Sequence, residues 1–500
     1  MPILNWIGKD AVVNHDKDVP FRLLKKNKSK SVGDSENLII EGDNLEALKA
    51  LLPHYQNKIK CIYIDPPYNT GNEKWVYNDN VNSPKIKKWL GKVVGGEDED
   101  LTRHDKWLCM MYPRLKLLRE LLRDDGVIFI SIDENEIQHL KLIMNEIFDE
   151  SNLLSIIANV SNPKGRSDDK YIASAHEYLL VYQKNNAKLN GFKPEDKVLK
   201  RFNKTGVNNQ KYREINLRKT GDEDKKEDRE NMYYYFYYNE KTKEFFPSKN
   251  KKKLKEFLEI EPLRNDNTKG RWRWSLETSQ KNIKEIFPKY MKNENKWSVF
   301  EMDYLEKDER VKATSAWTFK DVNSERGTEA FVEMGFEKES FPKPKPIGLL
   351  NRIITLALEQ NSEDIILDSF AGSGTTAQAV LELNKEDEGN RKFILIELES
   401  EICKKITSER VKKVIKGYDD VSGTGGGFQY AVLDKKLFNA DGRINPECTF
   451  EELASYLYFT ETKTILDTKK INKTLLDTHN ETQIHLMFDG IGKNNLDRKF

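Results

Sequence analysis

The sequence predicts an α/β fold, a mostly parallel sheet covered by helices and interrupted by one large insertion. Three observations predict it. Short apolar runs such as Lys60-Cys61-Ile62-Tyr63-Ile64 lack the alternation of a half-exposed strand and suit a sheet buried on both faces. Such runs are followed by stretches with apolar residues three and four apart, the spacing of a helix packed along one stripe. The texture then breaks near residue 185 and returns after Phe341-Pro342-Lys343-Pro344-Lys345-Pro346, whose alternating prolines continue neither a helix nor a central strand.

In order, Asn37 to Glu41 reads as a strand and Asp43 to Leu52 as a helix; Lys60 to Ile64 is the next strand. A charged, Gly-containing excursion occupies Gly71 to Asp100. Trp107 to Leu122 has helical Leu and Met spacing, Gly126 to Ile132 is an apolar strand, Asn135 to Phe148 an amphipathic helix, and His176 to Tyr182 one more strand. After the prolines come helix Ile347 to Leu358, strand Asp364 to Leu367, a Gly turn, helix Thr376 to Leu383, strand Lys392 to Ile396 and helix Ser400 to Lys416. Gly423-Thr424-Gly425-Gly426-Gly427 reads as a turn or linker, and Thr449 to Tyr458 as a short helix.

Composition narrows the function classes. The 500 residues hold 83 basic and 82 acidic side chains, a net charge of +1, which excludes a uniformly basic coat but not local patches. With 8 Trp, 20 Tyr and 23 Phe, the chain is not a disordered polyelectrolyte. No apolar run approaches the ~18–20 residues of a membrane span, and the start from Met1 to Asp10 lacks the pattern of a secretion leader. Cys61, Cys109, Cys403 and Cys448 have no short paired spacing, which argues against a structural zinc or a disulfide framework and fits a reducing cytoplasm.

Two motifs carry chemistry. Asp368-Ser369-Phe370-Ala371-Gly372-Ser373-Gly374-Thr375-Thr376 stands where a strand gives way to a helix, so its glycines let backbone approach a ligand at a helix start. Glu397 ends the next strand, the place where an acid meets ribose hydroxyls in doubly wound sheets. A phosphate loop is the competitor, but its Lys after the final Gly is absent. Asp65-Pro66-Pro67-Tyr68 follows the apolar strand directly. Two prolines remove two donors, leaving acceptors beside an aromatic face, an arrangement suited to a planar substrate that carries an amino group. Taken singly, each motif is also readable as a structural turn.

Together they resemble the amino-methylating DNA methyltransferases, whose Asp-Pro-Pro-Tyr and Phe-x-Gly-x-Gly motifs match Asp65 to Tyr68 and Phe370 to Gly374. Their order, with a long insertion between, resembles the circularly permuted β class. Asp65 to Gly71, Met110 to Leu115, Gly126 to Asp133 and His176-Glu177-Tyr178 further resemble the modification subunit of type III restriction–modification systems. The resemblance implies a Rossmann-like, S-adenosylmethionine-dependent methyltransferase fold with an inserted target-recognition domain. It divides the chain into an extension (1–34), a catalytic half (35–185), the insertion (186–340), a cofactor half (341–420) and a tail domain (421–500).

Residue by residue, the resemblance makes Asp65 and the Pro66 carbonyl acceptors for the target amino group, with Pro67 stiffening the loop and Tyr68 stacking on a flipped base. It assigns Phe370, Gly372 and Gly374, with Asp368 and Thr375 in the same loop, to the methionine part of the cofactor. Glu397 takes the ribose, although Glu399 offers a second acid. Asp43 lies near the cofactor adenine and Lys343 near the cofactor carboxylate. His176 falls near the flipped base, with a structural hydrogen-bonding role equally open. The leaving group is a sulfonium, so no metal is required.

The implied activity is N6-methylation of adenine in double-stranded DNA. The alternatives are N4-methylation of cytosine, or a recognition and assembly subunit serving a partner helicase–nuclease. The resemblance further implies a homodimer in a prokaryotic cytoplasm and no membrane partner. From Arg201 to Ile260 the insertion holds 16 Lys/Arg against 11 Asp/Glu with aromatics interleaved, readable equally as a nucleic-acid surface or as a solvated face around a local aromatic core.

Overall fold

The computed structural model describes residues 3–70, 100–166, 169–206, 209–306, 310–360, 362–439 and 442–488. The charged excursion expected after residue 70 lies almost wholly outside them. Two compact units result, Met1–Phe192 with Lys312–Phe500, and Lys193–Val311.

The first unit is built on a ten-stranded sheet. In chain order its strands are β1 (Arg22–Lys26), β2 (Leu38–Glu41), β3 (Ile59–Ile64), β4 (Leu122–Ile132), β5 (Leu153–Asn159), β6 (Glu177–Gln183), β7 (Ala316–Trp317), β8 (Ile365–Asp368), β9 (Lys392–Glu397) and β10 (Gln429–Lys436). They lie in the order β1-β10-β2-β9-β8-β3-β4-β6-β5-β7. From β10 to β4 the run is parallel, then β6 enters antiparallel. β8 and β9, late in the chain, sit between β2 and β3, which is the connectivity a permuted order requires.

The apolar strands are buried on both faces, and their period of two sorts the side chains. Ile40, Ile62, Ile64, Ile128, Ile130, Leu367 and Ile396 share one core with helices α1 (Asn44–Tyr55), α2 (Asp100–Leu121) and α3 (Ile137–Phe148). Ile39, Cys61, Tyr63, Val127, Phe129, Ile366 and Leu395 share the other with α4 (Ile347–Ala357), α5 (Thr375–Asp387) and α6 (Ser408–Lys416). Cys61 belongs to that core, and burial pushes its thiol far up, away from any nucleophilic form. Asp43 caps α1 by accepting from the Leu45 and Glu46 N–H groups. No helix among the described residues is long and apolar enough to cross a membrane.

Three boundaries differ from the sequence expectation. The inserted unit is Lys193–Val311, shorter than 186–340, because Trp317 is fully buried and β7 pairs with β5. The extension 1–34 and the tail from 421 both feed the central sheet, through β1 and β10, so neither stands apart as a segment of its own. In the tail, β10 is followed by α7 (Phe450–Thr462), held by a capping box between Thr449 and Glu452.

In the second unit, Tyr235–Tyr238 is the middle strand of a three-stranded sheet. Tyr234, Phe236 and Trp272 are buried with Ile260 and Val299. Much of the aromatic run is therefore core, and Arg271 is buried beside it with its Nε donating to the Glu223 carbonyl.

Candidate active site

Strand ends place the two motifs side by side. β3 and β8 are neighbouring parallel strands, with Ile62 opposite Leu367, so Asp65 and the Asp368 loop emerge at one edge. Adjacent strands lie about 4.8 Å apart, which brings the acceptor loop to the glycine loop without any further device.

The glycine loop is tied on every side. Asp368, buried, accepts from the Phe370 N–H at 3.1 Å and from Thr376 Oγ1 at 2.6 Å. Glu397, also buried, accepts from the Gly372 N–H at 2.8 Å and the Glu399 N–H at 2.9 Å. That leaves Glu399 flanking the strand end, with Glu397 as the acid that reaches the loop. Burial pushes both Asp368 and Glu397 up to about 7 despite these bonds.

Gly374 takes φ 81°, and a Cβ there would lie 3.2 Å from the Thr407 carbonyl oxygen. Thr407 ends a π turn, Cys403–Thr407, and its hydroxyl donates to the Gly372 carbonyl at 2.6 Å. Arg410, fully buried, donates to Ser373 Oγ and Thr375 Oγ1 at 2.8 Å each and to Gln378 Oε1 at 2.7 Å. Desolvation pulls its guanidinium down to about 10.

Around the other motif, the Trp107 indole donates to the Pro67 carbonyl at 2.7 Å. Asn69, at φ 58° and fully buried, donates to Glu136, which also meets His104 Nδ1 at 2.6 Å and His139 Nδ1 at 2.8 Å. Glu136 is thus the shared hydrogen-bond partner of one amide and two imidazoles. The cluster therefore acts on Asn69, pinning the left-handed residue behind Tyr68. Glu136→Ala is expected to lower thermal stability and turnover together without altering cofactor affinity, as melting curves and cofactor titration would register.

The structure gathers Asp65, Asp368, Phe370, Gly372, Thr375 and Lys345 around one cavity, with Tyr68 against Lys345 and Glu397 on the Gly372 N–H. Lys343 is exposed at φ 51° on the rim of the same cavity. Lys345, one Pro-Lys repeat later, is the lysine that turns inward: its Nζ lies 2.6 Å from Tyr68 OH, 2.8 Å from Glu177 Oε2 and 3.1 Å from Asp65 Oδ1. Glu177 also takes the Tyr68 hydroxyl at 2.8 Å and Asn159 Nδ2 at 3.0 Å. His176 packs edge-on against Tyr178 with ring centroids 5.0 Å apart. Asp43 is occupied as a helix cap and stands 3.4 Å from Arg114. Arg114 also donates to Asn44, which in turn donates to the Ser369 carbonyl, linking this end of β2 to the glycine loop.

Lys345, Glu177 and Arg410 are the site residues that sequence reasoning passed over. For Glu177 a signal existed in the quoted His176-Glu177-Tyr178 stretch; for Arg410 there was none.

A family model described as DNA methylase matches residues 59–409. The Mod subunit of the type III restriction–modification enzyme EcoPI, from Escherichia phage P1, is 30% identical over 461 residues, 86% of this chain and 70% of that protein. The type II methyltransferase M.KpnI of Klebsiella pneumoniae is 35% identical over 383 residues, 76% of this chain and 84% of its own length. The EcoP15I Mod subunit of Escherichia coli is 30% identical over 444 residues, and the match covers 64% of it. Among solved structures, the cytosine-N4-specific PvuII DNA methyltransferase overlaps with a TM-score of 0.36 at 12% identity, over 76% of this chain and 91% of that one, too loosely to weigh further.

Proposed function

Because this chain belongs to the DNA methylase family, we propose that it transfers a methyl group from S-adenosylmethionine to N6 of adenine in double-stranded DNA, as the modification subunit of a type III restriction–modification system. The observation that carries the reading is the adjacency of β3 and β8, which sets the Asp65 acceptor beside the Asp368–Thr375 loop.

The cofactor fits these residues on three grounds. Two buried carboxylates, Asp368 and Glu397, have no cation paired to them among the described residues. Buried Ser369 Oγ has no hydrogen-bond partner there. Gly372 and Gly374 hold the loop at φ 50° and 81°, presenting bare backbone at the start of α5. Glu397 would hold the ribose, and Asp368, Phe370, Gly372, Gly374 and Thr375 the methionine part, with Asp43 towards the adenine and Lys343 at the rim. When bound, the cofactor supplies a methyl on a sulfonium, which leaves as a neutral thioether as the amino nitrogen's lone pair forms the new N–C bond.

The chain supplies position. An exocyclic amino nitrogen is a weak nucleophile, since its lone pair is delocalised into the ring. Asp65 and the Pro66 carbonyl accept its two protons and favour a pyramidal nitrogen aimed at the methyl. Tyr68 stacks on the base once it has left the duplex. The nitrogen must then lose one proton; Asp65, whose carboxyl burial raises against the lowering by Lys345, takes it at a carboxylate oxygen and passes it to solvent. The inserted unit Lys193–Val311 would read the target sequence. A homodimer and a helicase–nuclease partner complete the type III reading.

Incubation with labelled cofactor and unmethylated genomic DNA, followed by nucleoside mass spectrometry, tests this: N6-methyladenine is expected, and label only in N4-methylcytosine, or none in DNA, overturns it. A solitary type II enzyme is the second reading, favoured by M.KpnI, at 35% identity and 84% coverage. Copurification of a helicase–nuclease from the native cell separates the two.

Cofactor affinity carries a pH signature. Asp368 and Glu397, both near 7, pass from carboxylic acid to carboxylate between about pH 6 and about pH 8, and hydroxyl and ammonium donors prefer the carboxylate. Affinity for S-adenosylhomocysteine should therefore rise about tenfold over that interval, with proton release on binding seen by calorimetry in two buffers. A flat profile would take both acids out of the contact.

A further inference from the structure

The pocket at Asp65 contains a cation that amino-group acceptance does not call for. Lys345 directs its ammonium at three site groups, the Tyr68 hydroxyl (2.6 Å), Glu177 Oε2 (2.8 Å) and Asp65 Oδ1 (3.1 Å). The Lys345 and Glu177 side chains are 16% and 10% exposed. The contact with Asp65 Oδ1 is the longest of the three, so it is the one an incoming donor replaces at least cost. Nζ lies 4.9 Å from the Tyr68 ring centroid, at the hydroxyl end of the ring.

Charge sharpens the point. Asp65 faces Lys345 from the segment before α4, Glu177 from β6, Tyr63 from β3, Asp368 from β8 and Tyr68 in its own loop. Asp65 and Glu177 thus share one ammonium. A desolvated carboxylate stripped of that ammonium takes up a proton and becomes a weaker acceptor and no base, and a desolvated ammonium stripped of its carboxylates is equally costly. Glu177, already at 2.8 Å and steadied by Asn159, is the place to which Lys345 can retire.

We propose that Lys345 is a positioning residue that holds the place of the target amino group on Asp65 and falls back onto Glu177 as the base enters. This rests on Asp65 being the acceptor in methyl transfer. While the pocket is empty, the Lys345 ammonium opposes the burial that favours the neutral Asp65 carboxyl. When the base arrives, its amino protons replace the ammonium on Oδ1, and the Lys345–Glu177 pair keeps its charge matched throughout.

The test compares the wild-type protein with Lys345→Met and Glu177→Gln on unmethylated genomic DNA, recording kcat and KM across pH. Lys345→Met should move the acid limb of the kcat profile upward by about one pH unit or more, with activity recovered at higher pH and S-adenosylhomocysteine affinity changed less than about threefold. Glu177→Gln removes the refuge, so Lys345 clings to Asp65: KM for DNA should rise about tenfold with kcat within about threefold. Wild-type pH dependence in Lys345→Met, or an unchanged KM in Glu177→Gln, overturns the proposal. If Lys345→Met does not fold, the KM split in Glu177→Gln decides alone. A wild-type protein that methylates no DNA overturns the parent reading instead, so the two failures are distinct.

Discussion

Asp65→Ala is expected to cut methyl transfer at saturating cofactor by about 10³-fold, equivalent to about 4 kcal/mol of transition-state stabilisation. On the proposed mechanism the alanine removes both the acceptor and the base for the amino group, and among the described residues nothing else at the edge of β3 offers a free carboxylate in its place. Glu177 is tied to Lys345, Tyr68 and Asn159. Asp368 is tied to Thr376 and the Phe370 N–H. The fold should survive, because the substitution deletes a desolvated charge while Lys345 retains Glu177 as partner. Asp65→Asn should lie between the two, as the carboxamide oxygen still accepts while its NH₂ repels an incoming donor. Single-turnover rates with labelled cofactor, read beside cofactor affinity, check this; retention of a tenth of the wild-type rate in Asp65→Ala would remove Asp65 from the chemistry.

Arg410→Met should have the largest effect on stability. Arg410 is fully buried and donates three hydrogen bonds from one planar group to Ser373, Thr375 and Gln378. Methionine fills much of the volume but leaves those three polar side chains without their donor, a loss on the order of 3–5 kcal/mol. The effect should reach the ligand as well, since Ser373 and Thr375 flank Gly374 at the start of α5: cofactor affinity should fall about tenfold. Denaturant midpoints and cofactor titration measure the two. A loss below about 1 kcal/mol with wild-type affinity would show that the glycine loop holds its shape without Arg410.

The contrast between these two residues marks what a sequence can disclose. Asp65 stands out in the sequence because four consecutive letters after an apolar strand mark its loop. The Asp368–Thr376 loop was legible for the same reason, and Glu397 through its place at a strand end. Arg410 was not, because one charged residue in Ser408-Glu409-Arg410-Val411-Lys412-Lys413 looks like its solvated neighbours, and only tertiary packing reveals which side chain turns inward. Lys345 was hidden by repetition: Pro342-Lys343-Pro344-Lys345-Pro346 offers two equivalent lysines, and the left-handed turn at Lys343 decides between them. Glu177 stood beside a histidine that drew attention by residue type, while the partners that give the glutamate its meaning are 109 and 168 residues away. In the fold, β10 escaped notice because the glycines from Gly423 to Gly427 suggest a linker, although the chain beyond them enters the main sheet beside β2.

The seam between β3 and β8 also bears on how the protein is made. Ile62 pairs with Leu367, so the junction that joins the two motifs spans some three hundred residues of chain and cannot close until about three-quarters of it has left the ribosome. The inserted unit finds its strand partners within Lys193–Val311 and can fold while the second half of the site is still unsynthesised. Until β8 arrives, β3 has an open, largely apolar edge. The two motifs therefore meet only late in synthesis, and a chain halted before β8 would expose an adhesive half-sheet rather than a weakened enzyme.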